Sequence, residues 1–236
     1  MIILSLGGSL VVPNGGIDTS FLSAFNTLIR EYVAHGKRFF IIVGGGSTCR
    51  HYQVAAKTVL PDVPDEDLDW LGIHTTRLNA HLVRTIFRDI ARPRIFDRYD
   101  RQEAISRYPI LIGAGWKPGC STDYDAVYLS KQYGAKLFIN MSNIDKVYTA
   151  DPRKVPTAKP IDHISWKEYR QMVGDKWSPG LSTPFDPVAS KLASEIGLRV
   201  VILNGAKLDN LKNALDGKPF VGTTIGDTET ADFPIP

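Results

Sequence analysis

Cysteine is scarce in this chain of 236 residues: Cys49 and Cys120 are the only two. They stand far apart and lack paired spacing, which excludes a secreted disulfide framework or a zinc ribbon and fits a reducing, cytoplasmic setting. His35, His74, His81 and His163 also lack ligand-like spacing, and His51 reads as a surface neighbour of Arg50, so no protein-held metal site is expected. Long hydrophobic runs are missing as well. The apolar start MIILSLGGSLVV has no basic leader, contains two glycines and meets Pro13 too early for a signal peptide or a membrane span, and so predicts a buried first strand. Nor does charge of one sign dominate. The 28 Lys and Arg against 25 Asp and Glu leave a net charge of +3. The basic residues are scattered and do not interleave with aromatics, which suits a small anionic ligand and not nucleic acid. There is no internal repeat or low-complexity tract, and 43% hydrophobic with 22% charged residues predicts one large globular domain.

What is present is an alternation of short apolar, β-branched runs with longer amphipathic ones, the rhythm of βαβ units feeding a mainly parallel sheet. Central strands are predicted at Ile2 to Leu6, Phe39 to Val43, Ile110 to Ile112, Leu137 to Met141 and Val200 to Leu203, because continuous apolar runs fit strands covered on both faces. Helices are predicted from Thr19 to Ala34, Leu71 to Ala91, Thr122 to Tyr133, Trp166 to Val173 and Pro187 to Ile196. Pro61 to Pro64 and Pro152 to Pro160 read as loops, and a frayed tail is expected from Gly226 onward.

Two glycine loops stand where strands end. LSLGGSL leaves the first strand at Gly7, Gly8 and Ser9, and IIVGGGSTCR leaves the second at Gly44, Gly45 and Gly46, with Arg50 one turn into the following helix. Glycine lets backbone N–H groups approach a phosphate closely, and Arg50 could add a charge-assisted fork. A tight structural turn needs the same residues. Neither loop matches G-x-x-x-x-G-K-[ST] or G-x-G-x-x-G, which argues against P-loop and Rossmann sites. Two loops suggest two phosphoryl sites, the arrangement a kinase needs to hold donor and acceptor in line.

In order along the chain, LSLGGSL, VGGGSTCR, DWLGIHTTRLNA, WKPGCSTDYDA, SNIDKVYTADP and FDPVASK together resemble the archaeal-type UMP kinases of the amino acid kinase superfamily, from Ile2 to about Thr224. The resemblance implies a three-layer αβα sandwich around a mainly parallel sheet, with an acceptor-binding lobe to about residue 107 and an ATP-binding lobe beyond it. It implies that Gly8 and Ser9 meet ATP phosphates, that Gly45 meets UMP, and that Gly46 and Arg50 meet ATP. Asp69 would accept from the ribose hydroxyls of UMP, while Trp116, Lys117, Pro118, Gly119, Cys120, Ser121 and Thr122 align with a loop wrapping uracil and α-phosphate. Ser142, Tyr148 and Asp151 align with the adenosine pocket, Asp123 with an acid that organises catalytic cations, and Lys191 with a lysine reaching the transferring group. Asp123, Lys191 and Arg50 form the implied catalytic set, with Mg2+ held mainly by ATP oxygens and water. A homohexamer, built as a trimer of dimers through the Leu71 to Ala91 helix, is also implied.

The chain departs from the superfamily in places. Ser5 stands where many members carry a first-strand lysine, leaving Lys117, Lys146 and Lys191 as cations that could compensate. Lys146 replaces a glycine, and Trp116 with Lys117 replaces smaller or less basic residues. Plainer roles stand beside the functional ones: Thr122 and Asp123 as a helix cap, Asp186 as a cap before Pro187, Lys191 as a solvated lysine, and Trp70 as a packing anchor. Two rival functions stay open. An isopentenyl phosphate kinase would offer a His where Arg50 stands, with His51 one position along; a storage or regulatory nucleotide binder would have lost turnover.

Overall fold

The computed structural model describes residues 1–14, 16–105, 107–174, 176 and 183–227. In chain order its elements are β1 (Ile2–Leu6), α1 (Gly8–Val11), α2 (Thr19–Ala34), β2 (Phe39–Val43), α3 (Gly46–Val59), α4 (Asp65–Ile86), β3 (Ile110–Gly113), α5 (Thr122–Tyr133), β4 (Leu137–Ser142), β5 (Val147–Tyr148), β6 (Pro160–Ile161), β7 (His163–Ile164), α6 (Trp166–Val173), α7 (Pro187–Glu195), β8 (Arg199–Asn204), α8 (Leu208–Leu215) and β9 (Thr223–Ile225). Seven strands form one sheet in the order β3-β2-β1-β4-β8-β9-β7, and β5 with β6 makes a separate antiparallel pair. The first five strands across the sheet run parallel, and β9 returns antiparallel to β8. The sheet is continuous past Arg107, since β3 on its far side pairs with β2.

Alternate side chains of each central strand enter opposite cores, as the two-residue strand period requires. Leu4, Leu6, Ile41, Val43, Ile112, Ile139 and Leu203 face one cluster with α2, α4 and α8, through Phe25, Val83 and Leu211. Ile3, Phe40, Ile42, Leu111, Phe138 and Ile202 face a second with α5, α6 and α7, through Val127, Tyr169 and Ala189. The continuous apolar runs therefore have a plain cause: both faces are covered, and the result is the expected αβα sandwich.

Local signals set the helix ends. Asp18 caps α2 by accepting from Phe21 N at 2.8 Å, Ser165 and Glu168 form a capping box on α6, and Gly134, at φ 67°, ends α5. The fourth helix corrects the sequence expectation. It starts after Pro64 with Asp65, Glu66 and Asp67 in its first turn, where acidic groups suit the positive helix end. It stops at Ile86 rather than Ala91, because Ala91 bridges to Ile110 at the sheet edge. At the C-terminus Gly226 N donates to Ile164 O at 3.1 Å, so fraying does not begin there; residues 228–236 of the expected tail lie outside the described residues.

The glycines of the two loops meet each other. A Cβ on Gly8 would lie 2.6 and 2.7 Å from Gly44 C and O and closer still to Gly46 N. Gly8→Ala should therefore destabilise the fold by about 1–3 kcal/mol through forced backbone shifts, lowering Tm by roughly 2–12 °C. Gly36→Ala should lose only the roughly 1 kcal/mol of left-handed strain, since a Cβ there meets nothing within 4 Å. Thermal unfolding of the two variants checks the contrast.

Candidate active site

Five adjacent parallel strands, β3, β2, β1, β4 and β8, end at one edge of the sheet. From β1 the chain builds outward to β2 and β3 on one side and to β4 and β8 on the other, so the crevice at their carboxyl ends lies at a topological switch point. The motifs of the sequence sit here: Gly8 and Ser9 follow β1, Gly45 and Gly46 follow β2, residues 115–122 follow β3, and Ser142 ends β4.

The glycine loops are locked together at this edge. Gly44 N donates to Leu6 O and Ser47 N to Val12 O, each at 3.0 Å, and the Ser47 hydroxyl donates to Pro13 O. Gly46 takes φ 67°, which glycine adopts without steric cost. Their spacing is thus explained first by backbone-to-backbone approach between the loops.

One face of α4 holds the neighbouring turns. Asn79 Nδ2 donates to Gly44 O at 2.9 Å and Gly45 O at 3.1 Å, and Thr76 Oγ1 accepts from Gly115 N at 2.8 Å. Arg77 donates to Trp116 O at 3.1 Å, and Asp69 Oδ2 accepts from Gly119 N at 2.7 Å. Asp69 and the expected acceptor loop are therefore brought together. The holding residues Thr76, Arg77 and Asn79 went unassigned in the sequence, although they lie with Asp69 in one segment at helical spacing. Trp116 packs at 6.0 Å edge-on to Tyr99 and 5.8 Å from Tyr128, with Lys117 Nζ 4.3 Å over its ring. The Cys120 thiol is pushed up to about 11 by burial and by Asp125, the state of an inert thiol.

Ser121, not Thr122 or Asp123, caps α5, accepting from Tyr124 N at 3.1 Å. That leaves the Asp123 side chain for other partners. Its carboxyl points inward, accepts from Asn140 Nδ2 at 3.2 Å and is bonded to the hydroxyl of Ser5, the residue in place of the first-strand lysine. Burial, with the nearby Asp186 carboxylate, pushes Asp123 up to about 7. Asp186 does cap α7, with Ala189 N at 2.5 Å, yet burial also raises its pKa. Asp125, unmarked in the sequence, is fully buried and held well above the usual carboxylate range by burial, against the pull of Trp116 N and Lys117. Three inward acids thus gather where α5 and α7 begin.

Other expected residues stand more openly. Arg50 on α3 and Lys191 on α7 are exposed and make no hydrogen bond or ion pair with any described residue. Tyr148 lies on β5 and Ser142 at the end of β4, and Asp151 is engaged by Arg153 at 3.0 Å, which lowers its pKa. Lys146 pairs with Asp162 and is committed there. Trp70 is 37% exposed and stacks on His74 at 5.9 Å, so it is no core anchor. Among the described residues, no group of three or more His, Cys, Asp or Glu is arranged to hold a metal ion, and no helix is long and apolar enough to cross a membrane.

The model of the amino acid kinase family matches residues 1–204. The chain belongs to the amino acid kinase family. Among this kinase's relatives, a uridylate kinase of Methanospirillum hungatei is 33% identical over 99% of the chain and 98% of its own length. One from Pyrococcus abyssi is 34% identical over 95% of the chain and 98% of its own length. The crystal structure of uridylate kinase from Archaeoglobus fulgidus superposes with a TM-score of 0.79 at 30% identity, covering 95% of this kinase and 99% of that chain.

The raised acid of this kinase gives a pH signature. An unfolded Asp loses its proton near 3.8 and folded Asp123 near 7. Between those values the unfolded chain binds fewer protons, so stability falls as pH rises. Asp123→Asn should therefore raise Tm at pH 8 relative to the parent, with the gap closing toward pH 4; an equal or growing gap at pH 4 would contradict the burial of this charge.

Proposed function

We propose that this kinase transfers the γ-phosphoryl group of Mg-ATP to UMP, giving UDP and ADP, a step of pyrimidine nucleotide biosynthesis. The observation that carries it is the 2.7 Å hydrogen bond from Gly119 N to Asp69, which sets an acid suited to ribose hydroxyls against the acceptor loop. It occurs in a chain that aligns end to end with proteins named uridylate kinase.

A UMP phosphate oxygen attacks the γ-phosphorus as the bond to the ADP oxygen breaks; the attacking group is already anionic, so no base must remove a proton. Asp69 and Gly45 with Trp116, Lys117, Pro118, Gly119, Cys120, Ser121 and Thr122 hold UMP, the last at the positive end of α5. Gly8, Ser9, Gly46 and Arg50 meet the ATP phosphates, and Ser142, Tyr148 and Asp151 line the adenosine side. Exchange of Gly119 N from Asp69 to solvent or ligand would free the carboxylate for ribose.

Lys191 and Arg50 are suited to meet negative charge on the transferring group, being exposed and unengaged among the described residues. Mg2+, held mainly by ATP oxygens, would supply charge neutralisation when bound. Asp123 fits beside it as a hard oxygen donor, since its charged form gains little from its protein neighbours. In this reading the expected division at about residue 107 into an acceptor lobe and an ATP lobe is not strict: UMP takes Gly45 and Asp69 before it and Trp116 to Thr122 after it, and ATP takes Gly8, Ser9, Gly46 and Arg50 before it and Ser142, Tyr148 and Asp151 after it. The same reading takes the protein as a cytoplasmic homohexamer, a trimer of dimers; apolar surface on α3 and α4, where Leu78 is 65% and Tyr52 58% exposed, supports self-association through that face.

Coupled ADP release with Mg-ATP and UMP, CMP, AMP, isopentenyl phosphate or no acceptor tests the reading. UMP should stimulate turnover most, and Asp69→Asn should raise the UMP KM roughly tenfold or more while leaving that for ATP nearly unchanged. Stimulation by isopentenyl phosphate alone, or by nothing although ATP binds, would overturn it.

A further inference from the structure

We propose that Asp125 is a positioning residue for the acceptor loop: its carboxyl, sealed beneath residues 115–122, grips the Trp116 N–H and fixes one end of the span that Asp69 grips at Gly119. The role rests on the acceptor reading above for its functional consequence, and on hydrogen bonding for its structural one.

Past the end of β3, Ala114 N still donates to Phe96 O at 2.9 Å, and the backbone groups around and beyond it are claimed by side chains from different elements. Ala114 N approaches Tyr99 Oη at 3.1 Å, and Gly115 N donates to Thr76 Oγ1 at 2.8 Å. Trp116 N donates to Asp125 Oδ2 at 3.2 Å, and Gly119 N to Asp69 Oδ2 at 2.7 Å. On the carbonyl side, Tyr99 Oη donates to Ala114 O at 2.6 Å and Arg77 to Trp116 O at 3.1 Å. The Trp116 backbone is thus held on both sides.

Asp125 differs from the other clamps in belonging to α5, the helix that the loop itself leads into. Its bond closes the chain from Trp116 to Asp125 into a small ring, whose far part is fixed by the Ser121 cap and by Asp125 N donating to Ser121 O at 3.1 Å. Ring closure of this kind restricts the intervening residues without any ligand, which is the condition for preorganised binding.

Bulk alone does not explain an aspartate here. The residue is fully buried beside Ala126, Val127 and Leu129, all of them core, and its Oδ1 has no hydrogen-bond partner. An apolar side chain would fill that space without the cost of an unsatisfied polar atom. The one bond the carboxyl makes in return is to the loop.

Two variants and two readouts test this. In Asp125→Ala, deuterium exchange of the peptide covering residues 115–119 in the free protein should quicken by about tenfold or more, with β4 and α2 unchanged. The UMP KM should rise by about tenfold and the ATP KM stay within about twofold. Asp125→Asn keeps an oxygen able to accept from Trp116 N and should restore both readouts. Unaltered loop exchange in the Ala variant, an equal rise of both KM values, or an Asn variant that behaves like Ala would overturn the proposal. Should the Ala variant not fold, Asp125→Ser, too short to reach Trp116 N, takes its place with the same expected and opposing outcomes. Loop exchange does not depend on the acceptor's identity. A parent protein that turns over no UMP therefore brings down the acceptor reading, while exchange still decides whether Asp125 anchors the loop.

Discussion

The site depends on one contact: the backbone of the loop after β1 lying directly on the backbone of the loop after β2. Parallel pairing makes it possible. Leu6 and Val43 stand opposite each other in register, so both strands end at the same level and their loops emerge side by side. Gly44 N then extends the ladder by one more bond to Leu6 O. No side chain fits between Gly8 and Gly44 or Gly46, so three positions are fixed by one approach. A slip of one residue in β2 would separate the loops and turn Phe40 and Ile42 out of their core, which ties the site's geometry to the same burial that stabilises the sheet.

The second organiser is α4. Its apolar side packs Ala80 and Val83 into the core beneath the sheet, while Asp69, Thr76, Arg77 and Asn79 reach the loops after β2 and β3. Loop backbone that leaves a sheet needs new hydrogen-bond partners, and a helix crossing two loop ends supplies them from a rigid base. Precision at the crevice is therefore inherited from helix and strand packing. Among the described residues, the less engaged groups, Arg50 and Lys191, are exposed cations on helix surfaces, free to reorient toward a charged ligand.

Legibility in the sequence followed the strength of local signals. Strands buried on both faces were readable because their apolar runs are unbroken, and α5 and α6 because caps and C-terminal glycines frame them. The strands β5, β6, β7 and β9 hold only two or three residues each, too few for a period to show, and the antiparallel return of β9 has no local cause. The start of α4 was missed because Asp65, Glu66 and Asp67 carry no apolar stripe, although as first-turn acids they mark it well. For the glycine loops the residue pattern was visible and its immediate reason was not: a phosphate and a second loop demand the same absence of Cβ. Asp125 was hidden for a related reason. Nothing in YDAV distinguishes a solvated helix aspartate from one turned into the core, since that depends on which side of α5 meets the sheet.

The gathered acids give the crevice its electrostatic character. Asp123, Asp125 and Asp186 lie inward where α5 and α7 begin, and all three are pushed upward by burial. Ser5 offers Asp123 a hydroxyl where a lysine would offer a charge, and Lys146 is committed to Asp162. Among the described residues, positive charge is thus not built in beside these acids; Lys117, Lys191 and Arg50 are exposed. A buried carboxylate that lacks a fixed cation favours its neutral form, and a ligand bringing cationic charge would favour the ionised one. Binding of a cation and ionisation of the acid floor would therefore be coupled, each lowering the free energy of the other.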